Sequence, residues 1–219
     1  MSLVDAGNEA ARPRVALIDY GSGNLRSVEK ALQHAGAEVV RCADPSSMGE
    51  CRAIVLPGVG SFGDCVRNLD SRGLTEPLRE WLASDRPYLG ICLGYQILFE
   101  RSVESPESKG LGHWRGSVVR FPSGPGLKVP HMGWNSLLWR QPDRLFEGLP
   151  DPAHVFFVHS YFPEPEDTSI VTAVCTHGVT FAAAAGRGNV RGVQFHPEKS
   201  QATGLRILEN FVRGLADAT

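Results

Sequence analysis

The chain has 219 residues, 42% hydrophobic and 21% charged, which is the composition of a globular protein long enough to bury a core of its own. Its 22 basic and 24 acidic side chains give a net charge of −2, so we expect neither a nucleic acid nor an anionic membrane as partner. No uninterrupted apolar stretch approaches the ~18 residues of a membrane span.

Strands and helices alternate through the first half of the chain. Short apolar runs predict strands at residues 14–20, 38–42, 52–57 and 86–92. Helical spacing of apolar residues predicts helices at residues 25–35, 76–84 and 93–99. This alternation predicts a mainly parallel sheet covered by helices on both faces.

Strand-like segments between proline and glycine turns dominate the second half. They lie at residues 118–121, 134–139, 154–162, 169–175 and 179–184. Residues 200–217 form a predicted amphipathic helix, and residues 102–112 are the most loop-like stretch. The predicted fold class is α/β: an open, mainly parallel sheet flanked by helices and extended by antiparallel strands.

The cysteines and the start of the chain indicate a reducing compartment. Five cysteines are an odd number and include no C-x-x-C pair, which argues against a disulfide framework and a structural zinc site. The opening residues have no apolar core, so they do not form a secretory signal. We expect a cytoplasmic protein without metal or other cofactor. Residues 1–13 are predicted to form a flexible extension and residues 14–219 a single domain.

One cysteine occupies a motif that suits a nucleophile. Cys92 is the centre of a G-x-C-x-G sequence, residues 90–94, where a predicted strand runs into a predicted helix. The two glycines leave room for a sharp turn, and the first N–H groups of the helix favour thiolate over thiol. Taken alone, such a motif is more often a buried cysteine in a glycine-flanked strand, so its context decides.

A base and an orienting carboxylate stand near the end of the chain. His196 and Glu198 follow a short predicted strand, and alternate side chains of an extended chain point the same way. A cysteine nucleophile needs such a base, and the base needs a partner that fixes its tautomer. One alternative is a histidine at the end of a strand, with a solvated glutamate beyond it. A metal site is a weaker alternative, because one histidine and one glutamate are too few ligands.

Two glycine-rich segments follow predicted strands. Residues 57–60, PGVG, lie where open parallel sheets bind ligands, and their backbone N–H groups are suited to hold an oxyanion. An ordinary strand–helix turn is the alternative. No Gly-Lys-Ser/Thr follows, so this is not a phosphate loop, and residues 21–24, GSGN, fail the dinucleotide-binding pattern. We therefore exclude nicotinamide binding.

Histidines outside the motif carry weaker hypotheses. His159 lies on a predicted strand near the site and is either structural or substrate-facing. His131 falls in residues 129–135, VPHMGWN, which are too rich in large side chains for an ordinary solvent loop. These side chains form either a contact surface or part of the core.

Together these motifs resemble the class I, triad-type glutamine amidotransferases. The shared motifs are PGVG (57–60), GICLGYQ (90–96) and HPE (196–198). Five further segments resemble the branch formed by the glutaminase subunits of imidazole glycerol phosphate synthases, from histidine biosynthesis. They are IDYGSGNLRSV (18–28), LPGVGSFGD (56–64), VPHMGWN (129–135), FVHSYF (157–162) and VQFHPEKSQ (193–201). Tyr95 departs from the methionine common in the family and is expected to alter packing behind Cys92.

The resemblance implies a flavodoxin-like fold and a role for each matching residue. It implies that Cys92 attacks the side-chain amide of L-glutamine, that His196 serves as base and then acid, and that Glu198 orients His196. Backbone N–H groups near Val59 and Leu93 would hold the oxyanion. The residues implied to bind the oxyanion or the substrate are Gly58, Val59, Gly60, Leu93, Gln96, Ser160 and Tyr161.

The resemblance also implies a partner. In the family, ammonia passes to a (β/α)₈-barrel synthase subunit, which makes imidazole glycerol phosphate and the aminoimidazole carboxamide ribotide. This chain is too short and has too few predicted parallel strands to contain a barrel as well, so we expect a heterodimer. The residues implied to face the partner are His131, Met132, Gly133, Trp134 and Asn135.

Two other functions remain open on sequence grounds. A stand-alone cysteine hydrolase or peptidase would use the same three side chains, because a triad fixes the chemistry and not the substrate. A non-catalytic binding subunit would keep the scaffold alone, although its motif residues are intact here. If the chain is a coupled glutaminase, we expect a slow free subunit whose 58–60 backbone flips into a donating orientation in the complex.

Overall fold

A computed structural model describes residues 12–21, 23–124 and 126–215. Most of the predicted N-terminal extension, residues 1–11, lies outside the described residues. Among those described are five α-helices: α1 (Leu25–His34), α2 (Phe62–Ser71), α3 (Thr75–Ala83), α4 (Leu93–Gln96) and α5 (Gln201–Arg213). The first six strands are β1 (Arg14–Ile18), β2 (Glu38–Cys42), β3 (Ala53–Gly58), β4 (Tyr88–Cys92), β5 (Phe99–Ser102) and β6 (Trp114–Arg120). The others are β7 (His131–Trp139), β8 (Ala153–His159), β9 (Tyr161–Pro165), β10 (Val171–His177), β11 (Val179–Arg187) and β12 (Val190–Val193).

A nine-stranded sheet organises the chain, in the order β2-β1-β3-β4-β12-β11-β10-β7-β8. The first five of these strands are parallel to their neighbours, and the remaining pairings are antiparallel. The last strand in sequence, β12, therefore lies in the middle of the sheet, directly beside β4. This order confirms the predicted α/β class, with its parallel sheet extended by antiparallel strands.

Helices cover both faces of the sheet because each buries one apolar stripe against it. On one face, Leu32 of α1 and Phe211 of α5 belong to the same buried cluster. On the other face, Leu69 of α2 and Trp81 of α3 pack into a second cluster. The inner parallel strands β1, β3 and β4 are buried from both sides and have the continuous apolar sequences expected of such strands. The edge strand β2 differs, with Glu38 and Arg41 exposed.

A second, three-stranded sheet of order β5-β6-β9 packs on the α2–α3 side of the molecule. Tyr95, the residue that departs from the family pattern, makes edge-on ring contacts with Phe99 and Trp114 of this sheet. Its ring also fills the space over Gly192 of β12, where an added Cβ would approach Tyr95 Cδ2 to 2.0 Å. The tyrosine thus ties the small sheet to the centre of the large one.

Three elements differ from the sequence predictions. The helix predicted at 93–99 ends at Gln96, because the chain turns at once into β5 and pairs with β6. The strand predicted at 154–162 is two strands, β8 in the large sheet and β9 in the small one, with Ser160 between them. Helix α2 was not predicted, although Ser61 caps its N-terminus by accepting a hydrogen bond from the Asp64 N–H at 3.2 Å.

The loop after β5, the C-terminal helix and the cysteines also bear on the sequence predictions. Residues 103–112 of the loop predicted at 102–112 contain no helix or strand, whereas Ser102 is the last residue of β5. Helix α5 occupies most of the amphipathic segment predicted at 200–217, of which 216 and 217 lie outside the described residues. In the described part of the chain, no helix has the length and apolar character needed to cross a membrane. The five cysteines are all free and buried.

Candidate active site

Cys92 stands at a strained corner between β4 and α4. Its backbone has φ 54° and ψ −107°, a positive-φ conformation that residues other than glycine rarely adopt. The flanking glycines make the corner possible. A Cβ added at Gly90 would come within 2.3 Å of the Gly94 carbonyl oxygen, and one at Gly94 within 1.8 Å of the Leu56 carbonyl oxygen. The G-x-C-x-G spacing therefore reflects a steric requirement.

Strand β12 carries His196 to the same corner. Because β12 pairs with β4, opposing Val193 to Ile91, the residues that follow both strands leave the same edge of the sheet. The His196 backbone is fixed there: its N–H donates to the Phe156 carbonyl at 2.9 Å and its carbonyl accepts from Ser200 Oγ at 2.7 Å.

Glu198 holds the ring of His196. Glu198 Oε1 lies 2.9 Å from His196 Nδ1, and the two side chains are 1% and 3% exposed. The other ring nitrogen, Nε2, is buried and has no conventional hydrogen-bond partner among the described residues. The structure thus brings Cys92, His196 and Glu198 together in the order thiol, imidazole, carboxylate.

The pKa of His196 is raised by its two neighbours. Burial by itself lowers this pKa, but the charge of Cys92, the interaction with its sulfur, and the hydrogen bond and charge of Glu198 together raise it to about 10. The Cys92 sulfur is therefore close enough to act on the ring electrostatically. This direction favours an imidazolium at neutral pH.

A cavity of about 340 Å³ opens in front of Cys92. Its wall contains most of the residues predicted to bind the substrate or the oxyanion: Val59, Gly60, Leu93, Gln96, Ser160 and Tyr161. Gly58 does not line it. A Cβ at Gly58 would approach Tyr20 Oη to 2.6 Å and Leu93 Cβ to 2.7 Å, so this glycine serves the close packing behind the wall.

Two further polar side chains, those of Glu104 and Lys199, line the cavity, and that of Gln194 is buried against Cys92; none of the three was predicted as a site residue. Glu104 comes from the loop after β5 and accepts a hydrogen bond from the Phe62 N–H at 2.7 Å, at the start of α2. Lys199 lies on the rim, with Nζ 5.9 Å from the centre of the Phe156 ring. Gln194 donates to Cys92 Sγ at 3.6 Å. In the sequence, only the position of Gln194 and Lys199 beside the HPE motif could have indicated that they belong to the site. Glu104 lies in a loop, and the sequence around it gives no such indication.

The segment predicted to face a partner, residues 131–135, lies in β7, where successive side chains point to opposite faces of the sheet. Met132 and Trp134 point outward and are 65% and 48% exposed. His131 is only 4% exposed, because it lies on the opposite face, with Asn135. The expectation that His131 faces a partner is therefore wrong for its side chain, which belongs to the interior. Gly133 and Asn135 are half-buried.

His131 and His159 form part of a hydrogen-bonded array whose direction is fixed. The Tyr161 carbonyl can only accept, so His159 Nδ1 donates to it at 2.8 Å. In a neutral ring His159 Nε2 is then an acceptor, for His131 Nδ1 at 3.1 Å. His131 Nε2 in turn accepts from Asn135 Nδ2 at 3.2 Å. Each donor in the array therefore meets an acceptor.

The array requires both histidines to be neutral. Burial lowers the pKa of His131 to about 4, together with the charge of His177, which stacks on it. Burial also lowers the pKa of His159 to about 3; the neighbouring histidines add to this shift, and the bond to the Tyr161 carbonyl opposes it. At neutral pH both rings are uncharged, as the tautomers demand.

We expect acid to destabilise the fold through His159. Its pKa is lower in the folded state than in the unfolded state. Between pH 7 and 5, His159 therefore becomes protonated in the unfolded chain but stays neutral in the folded one, and the free energy of unfolding falls. The loss is about 2 kcal/mol for one such histidine. His159→Gln can still accept from His131 and donate to the Tyr161 carbonyl but does not titrate. Urea unfolding at the two pH values should show a smaller loss in this variant by about that amount.

The exposed His154 of β8 supplies the matched control. His154→Gln should keep the pH dependence of the wild type, because that side chain is outside the buried array. Equal losses of unfolding free energy in His159→Gln and the wild type would show that His159 is protonated in the folded state as easily as in the unfolded one.

No group of three or more histidine, cysteine, aspartate or glutamate side chains in the described ranges is arranged to hold a metal ion. The array histidines direct ring nitrogens at one another and at a carbonyl, and their hydrogen bonds leave no set of convergent lone pairs.

Comparison with known proteins adds independent findings. The family model described as glutamine amidotransferase class-I matches residues 16–215. The protein named imidazole glycerol phosphate synthase subunit HisH from Geobacter sulfurreducens is 50% identical over 203 residues, covering 90% of this chain and 97% of that protein. A protein of the same name from Microcystis aeruginosa is 50% identical over 201 residues, covering 91% and 94%.

Solved structures resemble this fold at much lower sequence identity. A crystal structure of a glutamine amidotransferase superposes with a TM-score of 0.73 at 20% identity, covering 92% of this chain and 98% of that one. The structure of PurLQS from Thermotoga maritima gives 0.69 at 20% identity, covering 94% and 99%. At this identity the likeness concerns the fold alone.

Proposed function

This chain belongs to the class I glutamine amidotransferase family, and from that premise we propose that it is the glutaminase subunit of an imidazole glycerol phosphate synthase in the cytoplasm. Residues 14–219 would form its single domain. It would hydrolyse L-glutamine to glutamate and ammonia and deliver the ammonia to a separate synthase subunit. The proposal is carried by one observation: Cys92, at its strained corner, shares a buried site with the His196–Glu198 pair.

The charges of the site support nucleophilic attack by a thiolate. Cys92 attacks the side-chain amide carbon of glutamine, and the C=O oxygen becomes an oxyanion. His196, whose raised pKa keeps it protonated, gives its proton to the nitrogen as the C–N bond breaks and ammonia leaves. The neutral imidazole then takes a proton from water, whose oxygen attacks the thioester. Collapse of that intermediate releases glutamate and restores the thiolate.

The cavity wall supports the assignment of substrate contacts. Backbone N–H groups at Val59 and Leu93 would hold the oxyanion, with Gly58 permitting their close approach. Gln96 uses its Nε2 for Tyr161 and Gln194. Its Oε1 is thus the group left for substrate, and an acceptor suits the α-ammonium of glutamine. The backbone around Gly60, Ser160 and Tyr161 would complete the amino-acid subsite.

The exposed face of β7 is proposed to meet a (β/α)₈-barrel synthase subunit in a heterodimer. Met132 and Trp134 supply exposed apolar area there, and Gly133 and Asn135 share the segment. The relatives named above are themselves subunits of a synthase. Coupling would use the backbone of residues 58–60, where Gly60 has φ +99°, a region open to glycine and suited to a change of peptide orientation.

Glutamate release measured with and without the partner tests this function. The full chain is assayed with L-glutamine alone, with a barrel subunit, and with both the subunit and its formimino nucleotide acceptor. We expect slow release alone and the fastest release in the complete mixture. Equal rates in all three mixtures would contradict coupling, and no glutamate in any of them would contradict the function.

Two alternatives have their own signatures in the same assay. Rapid turnover of an ester or peptide that ignores the barrel subunit would identify a stand-alone cysteine hydrolase. Failure of an electrophilic diazo-ketone analogue of glutamine to label Cys92, even with partner and acceptor present, would identify a non-catalytic subunit.

A further inference from the structure

Gln194 is a completely buried amide that the mechanism leaves without a role. Its side chain is 0% exposed, and it lies immediately after β12, two residues before His196. Burying an amide is unfavourable unless its donors and acceptor are satisfied. Here Oε1 accepts from Gln96 Nε2 at 3.1 Å, and Nε2 donates to Cys92 Sγ at 3.6 Å.

The orientation of this amide is determined by its neighbours. Gln96 Nε2 lies 2.9 Å from the Tyr161 carbonyl, which can only accept, so the nitrogen of Gln96 must be on that side. The second N–H of the same nitrogen then points to Gln194 and requires Oε1 there. By elimination, Gln194 presents its own N–H groups to the sulfur. The carbonyl of Tyr161 thus sets the direction of both amides.

We propose that Gln194 is a positioning residue that donates a hydrogen bond to the Cys92 sulfur and is oriented by its own hydrogen bond with Gln96. The inference rests on the proposed function, in which that sulfur is the nucleophile. Gln194 does not touch the substrate in this scheme. It acts through Cys92, by holding the sulfur at the strained corner in its charged form.

A donor at this place acts on two steps of the reaction. Hydrogen bonds to a charged acceptor are stronger than those to a neutral one, so the contact favours thiolate over thiol before attack. It is weakened while the sulfur is part of the neutral thioester. When the thioester is hydrolysed, the departing thiolate meets the same N–H again, which stabilises it as a leaving group.

The pair of amides also links substrate binding to the nucleophile. Glutamine bound at Gln96 Oε1 would restrain the Gln96 side chain, and Gln96 in turn orients Gln194. A ligand in the amino-acid subsite therefore restrains the Gln194 amide that holds Cys92, without contacting the sulfur itself. This gives Gln96 an effect on turnover in addition to its effect on affinity.

The pH dependence of Cys92 alkylation tests the donor role. Full-length wild type and Gln194→Met, which has similar length but no N–H, are treated with iodoacetamide from pH 5 to 10, and modification of Cys92 is followed by mass spectrometry. We expect the pH of half-maximal alkylation rate to rise by about one unit in the variant. The titratable groups around Cys92 are the same in both proteins; they are His196, Glu198, Tyr20, His159, Glu104 and Lys199.

Steady-state glutaminase kinetics in the complex give the second readout. For Gln194→Met we expect kcat to fall about tenfold with KM changed less than about twofold, since the lost bond is to the nucleophile. Asn210→Leu is the matched control. Asn210 is another buried amide, whose Nδ2 donates to the carbonyls of Leu145 and Glu147. It should keep the wild-type midpoint and kcat.

A second variant covers the case in which Gln194→Met does not fold. Gln96→Met leaves Gln194 in place but removes the group that orients it, so the alkylation midpoint should move in the same direction by a smaller amount. A wild-type midpoint in Gln194→Met would overturn the proposal, and if Gln194→Met does not fold, a wild-type midpoint in Gln96→Met would overturn it. An equal shift in Asn210→Leu would also overturn it. Alkylation needs no glutamine, so a wild-type complex without glutaminase activity would defeat the proposed function while this comparison still decides the role of Gln194.

Discussion

Cys92→Ala is expected to abolish glutamate release, with a fall in kcat of at least about 10⁴-fold, because every covalent step begins at the sulfur. Alanine retains the Cβ of cysteine, so the backbone at φ 54° meets no new obstacle and the fold should survive. Release is measured in the complex with barrel subunit and acceptor. Binding of the variant to the barrel subunit, followed by sedimentation, should equal that of the wild type.

Cys175→Ala provides the control for loss of a buried thiol. Cys175 lies in β10 and is completely buried, but it does not line the cavity in front of Cys92. Its removal should leave turnover within a few-fold of the wild type. If Cys92→Ala kept more than a tenth of the wild-type rate, the thiol could not be the nucleophile.

Glu198→Gln is expected to lower kcat by about 10²–10⁴-fold while the protein stays folded. Replacement of the orienting carboxylate of a triad by an amide has an effect of this order, since an amide can donate to the imidazole and select the wrong tautomer. The change also removes two of the causes that raise the pKa of His196. That pKa should fall, and the imidazolium should be lost at lower pH.

The pH profile of kcat distinguishes this effect from general damage. Its alkaline limb should move to lower pH in Glu198→Gln, the sign required when a favourable negative charge beside an imidazolium is removed. Glu209→Gln is the matched control, because Glu209 pairs with Arg206 at 3.5 Å on the surface of α5. An unshifted alkaline limb in Glu198→Gln, or an equal loss in Glu209→Gln, would contradict the assigned role of Glu198.

Sequence patterns were most informative where a steric demand leaves few choices. The glycines around Cys92 are such a case, since a Cβ at either one would overlap backbone atoms. Apolar runs likewise predicted the parallel strands, because burial on both faces removes polar residues from them. The single run at 154–162 did not reveal its division at Ser160, which depends on pairing with two different sheets.

Relations that depend on side-chain orientation across strands were out of reach. Gln194 lies in the segment VQFHPEKSQ (193–201), yet its contact with Cys92 joins residues 102 positions apart. His131 occupied a segment that suggested an outward surface, whereas the alternation along β7 turns it inward to His159. Such contacts depend on the pairing register and on which neighbour is an acceptor. A linear pattern contains neither.

The central place of β12 has a consequence for how the protein is made. Strand β4 and the thiol are synthesised early, but the strand that separates β4 from β11, and the imidazole that follows it, come almost last. Long-range pairing of this kind forms slowly, because the entropy of loop closure is lost before the contacts are gained. An incomplete chain therefore carries Cys92 without its imidazole neighbour, and the proposed catalytic site is complete only when the two ends of the chain have come together.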